Sequence, residues 1–219
     1  MMIEKIKSVA LAGAFVAASA VSASALMIDV TNSPDLSLYA GSSTDLAPGT
    51  AWVEDEFSPG TFFEPAVVSG SESGEYRSPF EGSDYADAEF FTVGSPAPNS
   101  ANFAELGFNT ARTVLSLLWG SIDTYNGLIF FNGDEVAAIV GGQDVLEAGA
   151  DPEGLGAVFV SISGIGKFTS VGFFSDYGQQ GSVQPAFEFS NVAAVPLPAG
   201  GVLLLTALGG LAIARRRKS

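Results

Sequence analysis

A chain of 219 residues with neither cysteine nor histidine can form no disulfide, no thiolate nucleophile, no Ser-His-Asp triad and no histidine zinc or haem site. Its formal charge of −15 understates the acidity of its middle, because both ends are basic and residues 26–194 hold only Arg77, Arg112 and Lys167 as cations. Such a surface repels phosphate backbones, which excludes nucleic acid as a partner.

The first residues read as a signal peptide spanning 1–25. Lys5 and Lys7 precede an uncharged, mostly apolar run from Ser8 to Val21, too short to favour a permanent span. Ala23-Ser24-Ala25 then supplies the small-residue pattern of a cleavage site. Cleavage after Ala25 is expected, with Ala20 and Ala23 as alternatives. It would open the mature chain with the apolar stretch Leu26 to Val30, a first strand.

Residues 41–100 are rich in Gly, Ser, Pro and acid, with weak strands at Thr61 to Val68 and Ala88 to Val93. Ala111 to Trp119 is apolar on both alternating faces in its second half, which predicts a strand covered on both sides. Leu128 to Phe131 and Val136 to Val140 flank Asn132-Gly133-Asp134-Glu135, and Asn-Gly tolerates positive φ at both turn positions. Gln143 to Ala148 is briefly helical. Val158, Val160 and Ile162 alternate with Ala157, Phe159 and Ser161 in another strand, and Phe168 to Ser175 follows a Gly-Ile-Gly turn.

Pro185 to Ala193 closes the series. Phe187 and Phe189 point one way and Glu188 and Ser190 the other, which predicts a half-buried strand. Many short strands joined by Gly-rich turns predict an all-β, antiparallel β-sandwich, jelly-roll-like, over residues 26–194.

Beyond it, Leu197 to Ala214 is uncharged and apolar, about 27 Å of helix at ~1.5 Å per residue, close to the ~30 Å core of a bilayer. Arg215, Arg216, Arg217 and Lys218 follow at once. A basic cluster beside a span stays cytoplasmic, so a single transmembrane helix would leave the preceding domain outside.

Val195-Pro196-Leu197-Pro198-Ala199, the span and the basic end closely resemble the VPLPA-type variant of the PEP-CTERM sorting signal of Gram-negative bacteria. The resemblance covers 195–219, and Leu197 stands where the commoner form has Glu. It implies processing by an exosortase after export through the Sec machinery, transient inner-membrane anchoring, and delivery to the cell surface or extracellular matrix. The two prolines fit that role physically, since they keep the segment extended and block helix propagation outward. Two internal stretches are similar to segments of exosortase-dependent surface proteins. One is Leu117 to Asn126, with Trp119-Gly120-Ser121 and Asp123-Thr124-Tyr125-Asn126; the other is Ala186 to Val192, with Ser190 where Asp is usual.

Trp119, Asp123, Tyr125 and Asn126 combine flat rings with hydrogen-bonding groups, as a sugar site does. The competing reading makes Trp119 a cap on the core and Ser121-Ile122-Asp123 a turn. The acidic clusters Glu54-Asp55-Glu56 and Asp84, Asp87, Glu89 lack a calcium-loop spacing and read as solvated charge. No metal site, cofactor or catalytic residue is assigned. The expectation is a non-enzymatic surface or matrix protein, structural or weakly glycan-binding in association with exopolysaccharide. A carboxylate-dependent glycan hydrolase is the alternative, and would need a cleft with two facing carboxyls.

Overall fold

The computed structural model describes residues 25–54, 63–94, 103–151, 157–175 and 186–196. Ten strands account for most of these residues: β1 (Met27–Asn32), β2 (Thr50–Trp52), β3 (Ala66–Ser69), β4 (Glu89–Val93), β5 (Phe103–Trp119), β6 (Asn126–Asn132), β7 (Glu135–Gly141), β8 (Val158–Ser163), β9 (Phe168–Ser175) and β10 (Phe187–Pro196). One short helix, α1 (Gly142–Glu147), follows β7, and two 3-10 turns, Leu36–Leu38 and Ala40–Ser42, follow β1. Every strand pairing is antiparallel. The fold is all-β.

The organising element is β5. The first half of this 17-residue strand runs between β2 and β9, and its second half between β8 and β10. The pairing with β9 breaks register between Gly107 and Arg112. From the first half the ladder continues through β9 to β6 and β7; from the second it continues through β10 to β4 and β3, and through β8 to β1.

The two halves must face each other, and two phenylalanines show it. Phe173 is registered with Ala104 near the start of β5, while Phe189 is registered with Trp119 at its end. On a flat sheet those positions would lie about 50 Å apart at ~3.3 Å per residue. Instead the two rings stack, with centroids 4.2 Å apart and planes 6° apart. The sheet therefore folds over on itself near the register break, and the folded faces enclose the main core. Trp52 of β2 meets Phe91 of β4 at 5.3 Å across the same interior. Aromatic burial of this density is the main stabilising contribution here, each ring removing on the order of 150–250 Å² from water.

A second, smaller core lies on the outer side of the β4–β10–β5–β8 face. Phe80, Phe90 and Leu118 are buried there, with Leu36, Tyr39, Tyr76, Val68 and Phe159 packed around them. The turns after β1 and the loop before β4 supply this cover. The two-sided burial expected of Ala111 to Trp119 follows: Leu115, Leu117 and Trp119 enter the main core and Leu118 the second one.

Several expected strands appear close to where the alternation placed them. In β8, Val158, Val160 and Ile162 are buried while their neighbours are half-exposed. The helix 142–147 matches the short helical stretch. The hairpin between β6 and β7 forms, but one residue out of the expected frame. Asn132 pairs with Glu135, so the two-residue turn is Gly133-Asp134, with positive φ (62°) at Gly133 and not at Asn132. Glycine at the first central position suits a type II′ geometry, and a bulge beside Phe131 absorbs the shift. Sequence patterning does not reveal the first half of β5 or β2. In the former, small Ala104 and Gly107 interrupt the large apolar side chains that make a strand legible.

No helix among the described residues is long and apolar enough to cross a membrane. Ala23, the apolar runs 8–21 and 197–214, Leu197, Pro198, Ala199, Arg215, Arg216, Arg217 and Lys218 lie outside the described residues. Val195 and Pro196, the first two residues of the sorting-like motif, are the last two of β10, opposite Val114 and Arg112 of β5.

Candidate functional site

Strand β10 carries the sequence Phe187-Glu188-Phe189-Ser190, and its alternation turns Glu188 and Ser190 away from the aromatic core. The expectation of a half-buried strand is incorrect at this point. Glu188 and Ser190 are both 0 % exposed, because the loop before β4 and the turns after β1 fold over that face. A polar face was covered, not solvated.

Glu188 is held by that cover. The backbone N–H of Arg77 donates to its Oε1 at 2.9 Å, and the Ser121 hydroxyl donates to its Oε2 at 2.9 Å. The N–H of Gly120 donates to the Glu188 carbonyl at 2.8 Å. A Cβ at position 120 would stand 2.8 Å from the Glu188 Cβ, so only glycine allows this approach. The Arg77 guanidinium turns outward instead and pairs with Glu81. Burial therefore acts on Glu188 without a compensating cation, and it pushes the carboxyl up to about 8 against the smaller, opposing pull of its hydrogen bonds.

Above Glu188 lies a groove of about 560 Å³ lined by Ser71 to Arg77, Glu81, Ser121 and Asp123. Its outer wall is a braced loop. Glu72 and Tyr76 exchange backbone hydrogen bonds, the N–H of Ser78 donates to Ser71 Oγ, and the Tyr76 ring packs edge-on against Phe90 of the second core. The inner wall is the turn 120–125. There Asp123 is half-buried, and burial raises its carboxyl while a hydrogen bond from the Tyr125 hydroxyl partly offsets the effect. Tyr125 is raised in turn, by burial first and by Asp123 second.

The four residues expected to contact a glycan divide into two pairs. Trp119 is 0 % exposed and packs against Phe187 with ring centroids 4.5 Å apart and planes tilted by 32°, and Asn126 is 1 % exposed. Neither presents a face to a ligand, so both are corrected to core residues, Trp119 being the cap that the competing reading made it. Asp123 and Tyr125 remain half-exposed and hydrogen-bonded to each other, with Asp123 on the groove. Nothing in the sequence marks residues 71–77 as a groove, and Glu188, expected on a solvated face, is buried instead. A lone acid between phenylalanines was the available sign, but period-two alternation cannot distinguish water from a polar covering layer.

The two internal stretches singled out above, Leu117 to Asn126 and Ala186 to Val192, pack against each other. Trp119 packs tilted against Phe187, the Ser121 hydroxyl donates to Glu188, and Asn126 Nδ2 donates to the Ala186 carbonyl at 3.4 Å. Among the described residues no group of three or more acidic side chains is placed to hold a metal ion. Comparison with protein-family models, with curated protein sequences and with solved structures finds no match.

Proposed function

We propose that this chain is an exported surface or extracellular-matrix protein whose outer domain, a jelly-roll-like β-sandwich, binds glycan weakly and without catalysis. Its C-terminal tail would anchor it in the inner membrane until an exosortase processes the Val195 to Ala199 motif, after which it would join exopolysaccharide at the surface or in the matrix. The observation that carries the binding reading is the groove, where serine hydroxyls, the Tyr76 ring and Asp123, itself hydrogen-bonded to Tyr125 behind it, line one open depression. Those are the groups that meet the hydroxyls and flat faces of a sugar. Glu72, Glu75, Glu81 and Asp123 outweigh the single Arg77, so uronate and sulfated chains are repelled and neutral or amino sugars are favoured. The hydrolase alternative is less well supported. It needs an acid that reaches the substrate, whereas Glu188, the carboxyl most strongly raised beside the groove, has no exposed surface.

Binding is tested by titrating the full chain with neutral, amino-sugar and uronate oligosaccharides. Dissociation constants on the order of 1 mM are expected for the first two and no binding for uronates, with Asp123→Asn weakening binding at least ~3-fold. Equal binding by Asp123→Asn, or preference for uronates, would refute the groove reading. The sorting reading is tested by replacing Pro196 and Pro198 with Ala, which hardly changes hydrophobicity. The double variant should accumulate at full length in the inner membrane, and normal maturation would leave only a plain anchor.

A further inference from the structure

Glu188 sits where the two walls of the groove meet. One carboxyl oxygen takes the Arg77 N–H of the outer wall and the other takes the Ser121 hydroxyl of the inner wall. Among the described residues its surroundings offer no countercharge. On the strands beside it, β4 presents neutral Thr92, and neutral Gly120 follows the end of β5. From the turn 120–125, Asp123 adds a negative charge that opposes ionisation, and Tyr125 is neutral. From the outer wall comes only the Arg77 main chain, its guanidinium being engaged with Glu81.

We propose that the Glu188 carboxyl is a proton-controlled pin that joins the two walls of the groove while neutral and releases the 71–77 wall when it ionises. In the neutral acid both contacts persist. Oε1 still accepts from Arg77, and the acid O–H can donate to Ser121 Oγ because the hydroxyl rotates to accept it. Loss of that proton places a full charge in a site with no exposed surface, beside Asp123. Admitting water is the cheapest remedy even though both donors bind the carboxylate more strongly than the acid, and lifting the covering loop gives up the Arg77 contact together with the bond from the Ala186 N–H to the Glu75 carbonyl at 3.3 Å. The inference regulates the same groove and rests on the glycan reading for its biological consequence, while the release itself needs no ligand.

The test is amide hydrogen exchange of the full chain, expressed at each pH as protection relative to the intrinsic rate. Protection at Arg77 and its neighbours should fall at least about tenfold between about pH 6 and about pH 9 in the native protein. In Glu188→Gln it should stay level, because the amide can accept from Arg77 and donate to Ser121 with no charge to gain. A flat profile in the native protein, or an equal fall in Glu188→Gln, would overturn the pin. Should that variant not fold, Ser121→Ala decides. Losing a donor that favours the carboxylate moves the midpoint of release to higher pH, and an unmoved midpoint overturns the proposal. Because no sugar is present, loop release without glycan binding would refute the groove's function and leave the pin standing.

Discussion

Over Phe187 to Ser190 the two faces of β10 are equally buried and are built on opposite principles. Phe187 and Phe189 enter the aromatic core, where Phe189 touches Phe91, Phe173 and Phe187 through ring contacts alone. Glu188 and Ser190 lie under loops, and each is satisfied by specific hydrogen bonds. Ser190 Oγ donates to Asn191 Oδ1 at 2.8 Å, and Asn191, with positive φ (53°), donates from Nδ2 to the Tyr39 carbonyl at 3.0 Å. The apolar face gains from area, tolerates small shifts and has no pH dependence. The polar face gains little net energy per contact but loses much when one partner is removed, because the remaining groups stay buried. One strand thus carries the bulk stability on one side and the alignment of the groove on the other.

The comparison is broken most strongly at Phe189. Phe189→Ala should cost about 3–5 kcal/mol and lower the melting temperature by on the order of 10 °C, since neighbouring rings from both folded halves cannot collapse into the cavity. A loss below ~1 kcal/mol would mean that the two halves of β5 do not enclose a common core.

Glu188 gives the next largest effect, and its sign depends on pH. Its folded-state value of about 8 lies above the ordinary carboxylate range, so the folded chain holds this proton more tightly than the unfolded one. The resulting stability is fully present below about pH 4.5 and is lost as pH rises through about 8, a swing of a few kcal/mol. Glu188→Gln removes that swing. Chemical denaturation should find the variant close to the native protein near pH 5 and more stable by roughly 1–3 kcal/mol near pH 9. Parallel pH profiles for the two proteins would show that the carboxyl is not isolated from charge compensation.

Ser190→Ala should have the smallest effect, about 1 kcal/mol for one lost hydrogen bond, with no change in the pH profile. If it cost as much as Phe189→Ala, the polar face would be bearing structural load that the contacts around it do not account for.

Much of the chain's β structure was legible because alternation is a local property. Val158, Val160 and Ile162 declare a buried face within six residues, and Gly133 declares its turn within two. Glu188 and Ser190 mark the limit of that property: alternation separates two faces but does not say what lies against each. Trp119 and Asn126 show the same limit, since an aromatic residue beside polar ones looks alike in a sugar site and at the mouth of a core.

By itself, then, the sequence determined where most strands run, which residues of each share a face, and which chemistry is impossible without cysteine or histidine. The tertiary structure alone decided that β5 bends, bringing Phe173 and Phe189 into a 4.2 Å stack, and that the loop carrying Arg77 closes over Glu188. Each is a contact between residues far apart in the chain. Such contacts depend on which surfaces meet once the strands pair, and no window of neighbouring residues carries that information.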